Sequence, residues 1–235
     1  MLLYTSILGW FIILGSAIPY SFQYYKIYTN SSVEGISDLM LLSGCASNFF
    51  SLMAIVFSNF YKIINSTNYV DKYLLSVPII QLATSFTLLE ISYLLYFLYT
   101  EYNHKKIIYI LYHIIEVAIF TIIFPILMIS LYNSNYVYIS LNILSGFFSI
   151  IMWAPQIIIT CKQKAAGSLS IISLIIQSFG CLLVILFQLL DNSSPTIIIP
   201  YVIGFLSELT LVIMCLCYKY RSRKKNQQLL DNMIQ

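Results

Sequence analysis

Acids placed inside the most apolar stretches of a chain are the first residues to ask about. Glu90, Glu116, His113 and Glu208 lie within long hydrophobic runs, and Asp38 stands at the mouth of another. Charged groups in mid-membrane are rare and are functional candidates by default. A carboxyl there can take a proton on one side of a bilayer and release it on the other, so Glu90, Glu208 and Glu116 are candidate proton-coupling groups. The alternative is that protonated carboxyls only hydrogen-bond between helices. His113 and Glu116 are three apart and share a helical face. A second set is polar but uncharged: Asn48, Asn142, Gln23 and Gln156 sit deep in apolar segments and are candidate substrate-binding residues. Interhelical hydrogen bonds in membranes average only about 0.6 kcal/mol, so stability is a weak reason for burying a glutamine. Pro19 and Pro155 lie near the two glutamines. Proline removes a helical hydrogen bond and kinks the rod, so both are candidate hinges, with plain bundle shaping as the alternative.

Conventional catalytic chemistry has no foothold. There is no phosphate-cradling glycine loop and no G-x-S-x-G. The five cysteines (Cys45, Cys161, Cys181, Cys215, Cys217) show no metal-ligand spacing and read as small membrane hydrophobes. The expectation is a protein that is not an enzyme, with no catalytic residue, cofactor or metal.

The elements that must carry these residues follow from composition. The chain has 235 residues, 60% hydrophobic and only 9% charged, with a mean hydropathy of +0.85. Soluble domains are about 25% charged. Water is the wrong solvent for this chain, which excludes a soluble enzyme, a nucleic-acid binder and a disordered protein. A spanning helix needs about 20 apolar residues. Seven such runs are expected at 4–27, 36–58, 73–98, 107–131, 136–160, 168–190 and 196–219. The first lacks a basic leader and a small-residue cleavage site, so it reads as a retained span. A polar, basic tail covers 221–235.

Basic loop residues set orientation. Ten of the twelve fall on one side of a seven-span arrangement (Lys26, Lys105, Lys106, Lys162, Lys164 and the tail), against Lys62 and Lys72 on the other. The N-terminus is therefore expected on the lumenal side and the tail in the cytosol. Of three N-x-S/T sequons, at Asn30, Asn65 and Asn192, the last two fall on the lumenal side. Tyrosines cluster at span ends as interfacial belts.

The chain also repeats itself. Ile18 to Ser37 reads IPYSFQYYKIYTNSSVEGIS, and Trp153 to Ser170 reads WAPQIIITCKQKAAGSLS. Each copy has a deep Gln, a nearby Pro, a basic residue, a short polar turn, and a Gly followed by a Ser that can cap the next helix. Gln to Gly is twelve residues in the first copy and eleven in the second. Two copies in the same membrane orientation make a parallel repeat: an all-α protein with bundles of spans 1–3 and 5–7 joined by span 4. The units expected are 1–100, 101–133 as linker helix, 134–220, and the tail.

On these residues the sequence resembles the PQ-loop repeat family, which includes cystinosin-like and lysosomal amino-acid transporters and, more distantly, SWEET sugar carriers and KDEL receptors. Pro155-Gln156 is the family dipeptide intact; Phe22 stands where the first copy should have its Pro. The stretch around Gln23, with Asn48 in the next span, is similar to a branch carrying P-Y-x-P-Q-Y. The resemblance implies a carrier in an endomembrane (lysosome, endosome or Golgi) moving a small polar solute such as an amino acid, with a span-2 Asn in the solute pocket. Its expected partners are the lipid bilayer and that solute, with no nucleic acid. It also leaves open phospholipid translocation with endosome–Golgi traffic, and a retrieval receptor. The last is disfavoured because no basic residue sits in mid-span.

Overall fold

The computed structural model describes residues 2–131, 135–165, 167–190 and 195–234, with side chains over 10–130, 136–165, 167–186 and 201–221 and at Lys224. Asn192 lies outside the described residues. The described chain is helical, without a strand among the described residues. Its rods are α1 (Leu2–Asn30), α2 (Asp38–Asn65), α3 (Tyr69–Tyr99), a composite α4, α5 (Asn135–Gln163), α6 (Ile171–Leu190) and α7 (Pro195–Ile234). α4 runs Asn103–Ala118, widens into a π-turn over Ile119–Ile123 and resumes as Phe124–Leu131. The π-turn abuts Pro125, whose ring would strike the Thr121 carbonyl in a regular α-turn.

Local chemistry places the helix ends. Ser37 caps α2 by accepting from Met40 N–H, and Asn68 caps α3 by accepting from Val70 N–H. Ser170 caps α6 through Ser173 N–H at 3.2 Å. The loops after α1 and α5 turn at left-handed Ser31 and Lys164. The expected basic tail is helical through residue 234. The backbone of α7 continues unbroken to Ile234, because 221–234 holds neither Gly nor Pro and is rich in Lys, Arg, Gln and Leu, all good helix formers.

Five helices among the described residues are long and apolar enough to cross a membrane: α2, α3, α4, and the stretches Tyr136–Gln163 and Tyr201–Arg221. The described apolar part of α6, Ile171–Leu186, is shorter. α3 packs against both α1 and α2, and α7 packs in the same way against both α5 and α6. The copies meet along two seams, α2 with α5 and α1 with α6. Exchanging α1 with α5 and α2 with α6 maps one seam onto the other, as a pseudo-two-fold requires.

Three apolar clusters hold this arrangement. One lies inside the first bundle (Ile27, Leu41, Cys45, Leu89, Tyr93, Tyr96) and one inside the second (Trp153, Leu174, Leu211, Val212, Cys215). The third glues α2, α4 and α5 through Phe49, Met53, Phe57, Phe124, Met128 and Leu141. The outer faces carry Ile, Leu and Phe; on α4 these include Ile107, Leu111, Ile114, Ile122 and Ile129. That outward apolarity suits lipid as the solvent.

Candidate functional site

The two motif glutamines point inward and across. Gln156 on α5 is fully buried. Its Nε2 donates to the Gly35 carbonyl at 2.7 Å and to Thr160 Oγ1 at 3.2 Å, while its Oε1 accepts from Ser37 N–H at 2.8 Å. Gln23 on α1, half-buried, does the same in the other direction. Its Nε2 donates to the Ser168 carbonyl at 3.0 Å and its Oε1 accepts from Ser170 N–H at 2.8 Å. Each glutamine thus reads the backbone just before the second helix of the opposite copy. Within each copy, the carbonyl held by the opposite glutamine lies twelve residues after that copy's own Gln, so the structural match of Gly35 is Ser168, not Gly167.

The two loops also touch each other. Ser168 N–H donates to the Glu34 carbonyl at 2.7 Å, and its hydroxyl donates to the Ser32 carbonyl at 2.7 Å. Lys26 Nζ donates to the Leu169 carbonyl. Gly35 and Gly167 have φ of +90° and +51°. A Cβ at Gly167 would lie 2.4 Å from the Glu34 oxygen, so the loops approach this closely only because that residue has no side chain. The result is a latch of side-chain-to-backbone bonds joining the copies at one end of the molecule. Lys105 stands at that end too, 3.8 Å from Asp38.

Above the latch the seams differ. Ser47 Oγ donates to the Ser145 carbonyl at 2.9 Å, Ser51 and Ser145 hydroxyls meet at 2.5 Å, and Phe50 stacks on Phe148 with centroids 5.8 Å apart. On α1, by contrast, Ser16 and Ser21 donate to their own helix at Ile13 and Ala17. Asn48 is half-buried between Ser47 and Phe49 in sequence. Asn142 is exposed and donates to the Tyr138 carbonyl one turn back, at 2.9 Å. No hydrogen bond joins Asn48 to Asn142 among the described residues. Ser145, three turns before Gln156 and so on the same face, bonds across the α2–α5 seam and was not singled out by the sequence pattern. Thr160 and Lys26 are others it did not single out at the latch, and their signal was one-turn spacing from the glutamines.

Both prolines stay inside continuous helix. The register set by the glutamines pairs Pro155 with Phe22 and Pro19 with Met152, so Pro19 lies about one turn further from its loop. Of the acids, Glu208 is 4% exposed on α7, beside the Cys181 thiol of α6. One turn earlier, Gly204 lies against Cys181 and Trp153; a Cβ there would sit in ordinary van der Waals contact, 3.7 Å from the sulfur and 3.9 Å from the indole nitrogen. Glu90 on α3 meets His113 and Glu116 on α4, with one donor atom from each within 4.8 Å of the others. That set could hold a cation, and it escaped the sequence reading because its members come from two helices.

The architecture is shared with a eukaryotic SWEET transporter of known structure. That chain is 11% identical and superposes with a TM-score of 0.56, covering 92% of this chain and 99% of its own length. The family model for the PQ loop repeat matches twice, at residues 4–64 and 137–197, and those segments carry the two glutamines and the loops they hold. The protein belongs to the PQ-loop repeat family. A comparison with curated proteins finds no match.

Proposed function

We propose that the protein is a seven-span carrier that moves a small polar solute across an endomembrane by alternating access, with the crossed glutamines as its cytosolic gate. The N-terminus is lumenal and the tail cytosolic on the basic-residue bias. The observation that carries the reading is the reciprocal latch: two equivalent groups each tie one bundle to the other at a single end, which is what a rocking pair of bundles must release. Net intramolecular hydrogen bonds are worth about 0.5–1.5 kcal/mol each. The four glutamine-to-backbone bonds across the copies therefore contribute about 2–6 kcal/mol, enough to hold the gate shut and small enough to be released by differential binding of a solute. Pro19 and Pro155 are the bends about which the cytosolic halves swing. Asn48 and Asn142 are the solute contacts above the gate, joined by Gln23 and Gln156 when the latch opens. Glu208, buried among α6 and α7, is the proton-coupling group of first choice, ahead of Glu90 and Glu116.

Uptake of radiolabelled amino acids into proteoliposomes, with and without a pH gradient, tests this. Solute-specific flux that collapses in Gln156→Ala and Gln23→Ala is expected; unchanged flux in both removes the gate. A second reading, phospholipid translocation, draws on the α1–α6 seam, sparser among the described residues, as a lateral opening. Equilibration of a fluorescent lipid no faster than in empty liposomes would count against it.

A further inference from the structure

The acid–histidine cluster between α3 and α4 belongs neither to the latch nor to either seam. Among the described residues, six buried side-chain polar atoms have no hydrogen-bond partner of good geometry, and five of them converge here: both Glu90 oxygens, which lie beside the Cys45 thiol, His113 Nε2, and Glu116 Oε1 and the Tyr112 hydroxyl, which lie beside each other. Buried polar groups are ordinarily satisfied, so each exception calls for a reason. Glu116, 8% exposed, meets the imidazole with Oε2 3.0 Å from His113 Nδ1; an ionised carboxylate can only accept there, which places the proton at Nδ1. With the proton held at Nδ1, Nε2 presents a lone pair. That lone pair faces Glu90 Oε2 at 3.4 Å. The rings of Tyr109, Tyr112 and Tyr93 pack around the imidazole, with centroids at 4.2, 5.1 and 6.2 Å.

Two acceptors facing each other in an apolar cage repel unless a proton or a metal cation sits between them. We propose that Glu90 and His113 bind a divalent transition-metal ion of the zinc class, with Glu116 holding the imidazole from behind. The spacing fits an ion better than a shared proton. A charge-assisted N–H···O bond closes to about 2.7–2.9 Å. Two donors about 2.0–2.1 Å from a tetrahedral zinc lie roughly 3.4 Å apart. An imidazole nitrogen beside a carboxylate selects zinc-like metals over magnesium or calcium, which take oxygen ligands. A carboxylate behind the ligating histidine is the usual arrangement for fixing its tautomer. The His113 and Glu90 side chains keep 27% and 16% of their surface open, but their donor atoms are buried, so the further ligand within reach is the unpartnered Glu116 oxygen. The ion joins α3 to α4, the connector.

The test is zinc binding by the full-length protein in detergent, stripped with chelator and titrated with zinc chloride, with bound metal counted by mass spectrometry. One ion per chain and a higher melting temperature with zinc are expected for the wild type. His113→Gln and Glu90→Gln keep volume and polarity, and each should weaken binding at least tenfold while eluting as the same monodisperse species. Glu116→Gln should weaken it by about 10–100-fold. A wild type that takes up no zinc overturns the proposal. So does unchanged stoichiometry and affinity in both His113→Gln and Glu90→Gln, which would assign the metal to the exposed thiols Cys161 and Cys217. Metal counting does not depend on flux, so this outcome and that of the carrier reading are separable.

Discussion

The two copies of the repeat are alike at the latch and unlike everywhere the latch is reinforced. In the second copy Gln156 is sealed from solvent and steadied by Thr160 one turn on. The matching position in the first copy is Ile27, and Gln23 is only half-buried. There the reinforcement comes from Lys26, which reaches the opposite loop directly. The seams diverge in the same sense. α2 and α5 are stitched by three serines and an aromatic stack, whereas the α1 serines turn back on their own helix. A duplicated chain has thus kept the symmetry of the latch while stitching one seam more closely than the other among the described residues. On the carrier reading proposed above, this asymmetry would place the pivot along α2–α5.

The comparison can be broken at graded points. The largest effect is expected from Gln156→Ala. It strands the buried Gly35 carbonyl and Ser37 N–H, and unsatisfied buried groups cost about 1–3 kcal/mol each. Gln23→Ala, at a half-buried site backed by Lys26, should lower the melting temperature by clearly less; equal losses would erase the distinction between the copies. Next comes Gly167→Ala, where a Cβ runs into the Glu34 oxygen at a φ of +51°. Forcing the left-handed conformation on a residue with a side chain costs about 1–3 kcal/mol, and a cysteine pair placed across the two loops should crosslink more slowly in this variant. Ser145→Ala removes the hydroxyl bond to Ser51 but leaves the Ser145 carbonyl to Ser47, so a loss near 1 kcal/mol is expected in detergent melts. A larger loss would mean the seam rests on these hydroxyls more than on Phe50 and Phe148. Asn142→Ala should be smallest, within about 0.5 kcal/mol, because its amide is answered by its own helix. A selective fall in solute flux without a stability change would then locate Asn142 in the pathway.

Much of this was legible from residues alone. Long apolar runs with few charges can only be satisfied as helices in lipid, and the repeated Gln, Pro, polar turn, Gly and Ser named the duplication without coordinates. The extent of α7 was not legible, because a basic, polar segment reads equally as a loose tail or as the solvated end of a helix. The glutamines were legible as residues but not as partners: Gln156 and Gly35 are 121 residues apart, and nothing local says that a side chain in one copy holds the backbone of the other. The register was equally hidden, since the conspicuous glycines suggested unequal spacings where the carbonyls actually held are equally spaced.

The sequence by itself determined the solvent, the helical class and the twofold repetition, because these follow from hydropathy and from local pattern, which are properties of neighbouring residues. Only the tertiary structure decided which loops the glutamines grip, which seam is closed, and that Glu90 faces His113 across two helices. Those are meetings of residues far apart in the chain, fixed by how whole rods pack.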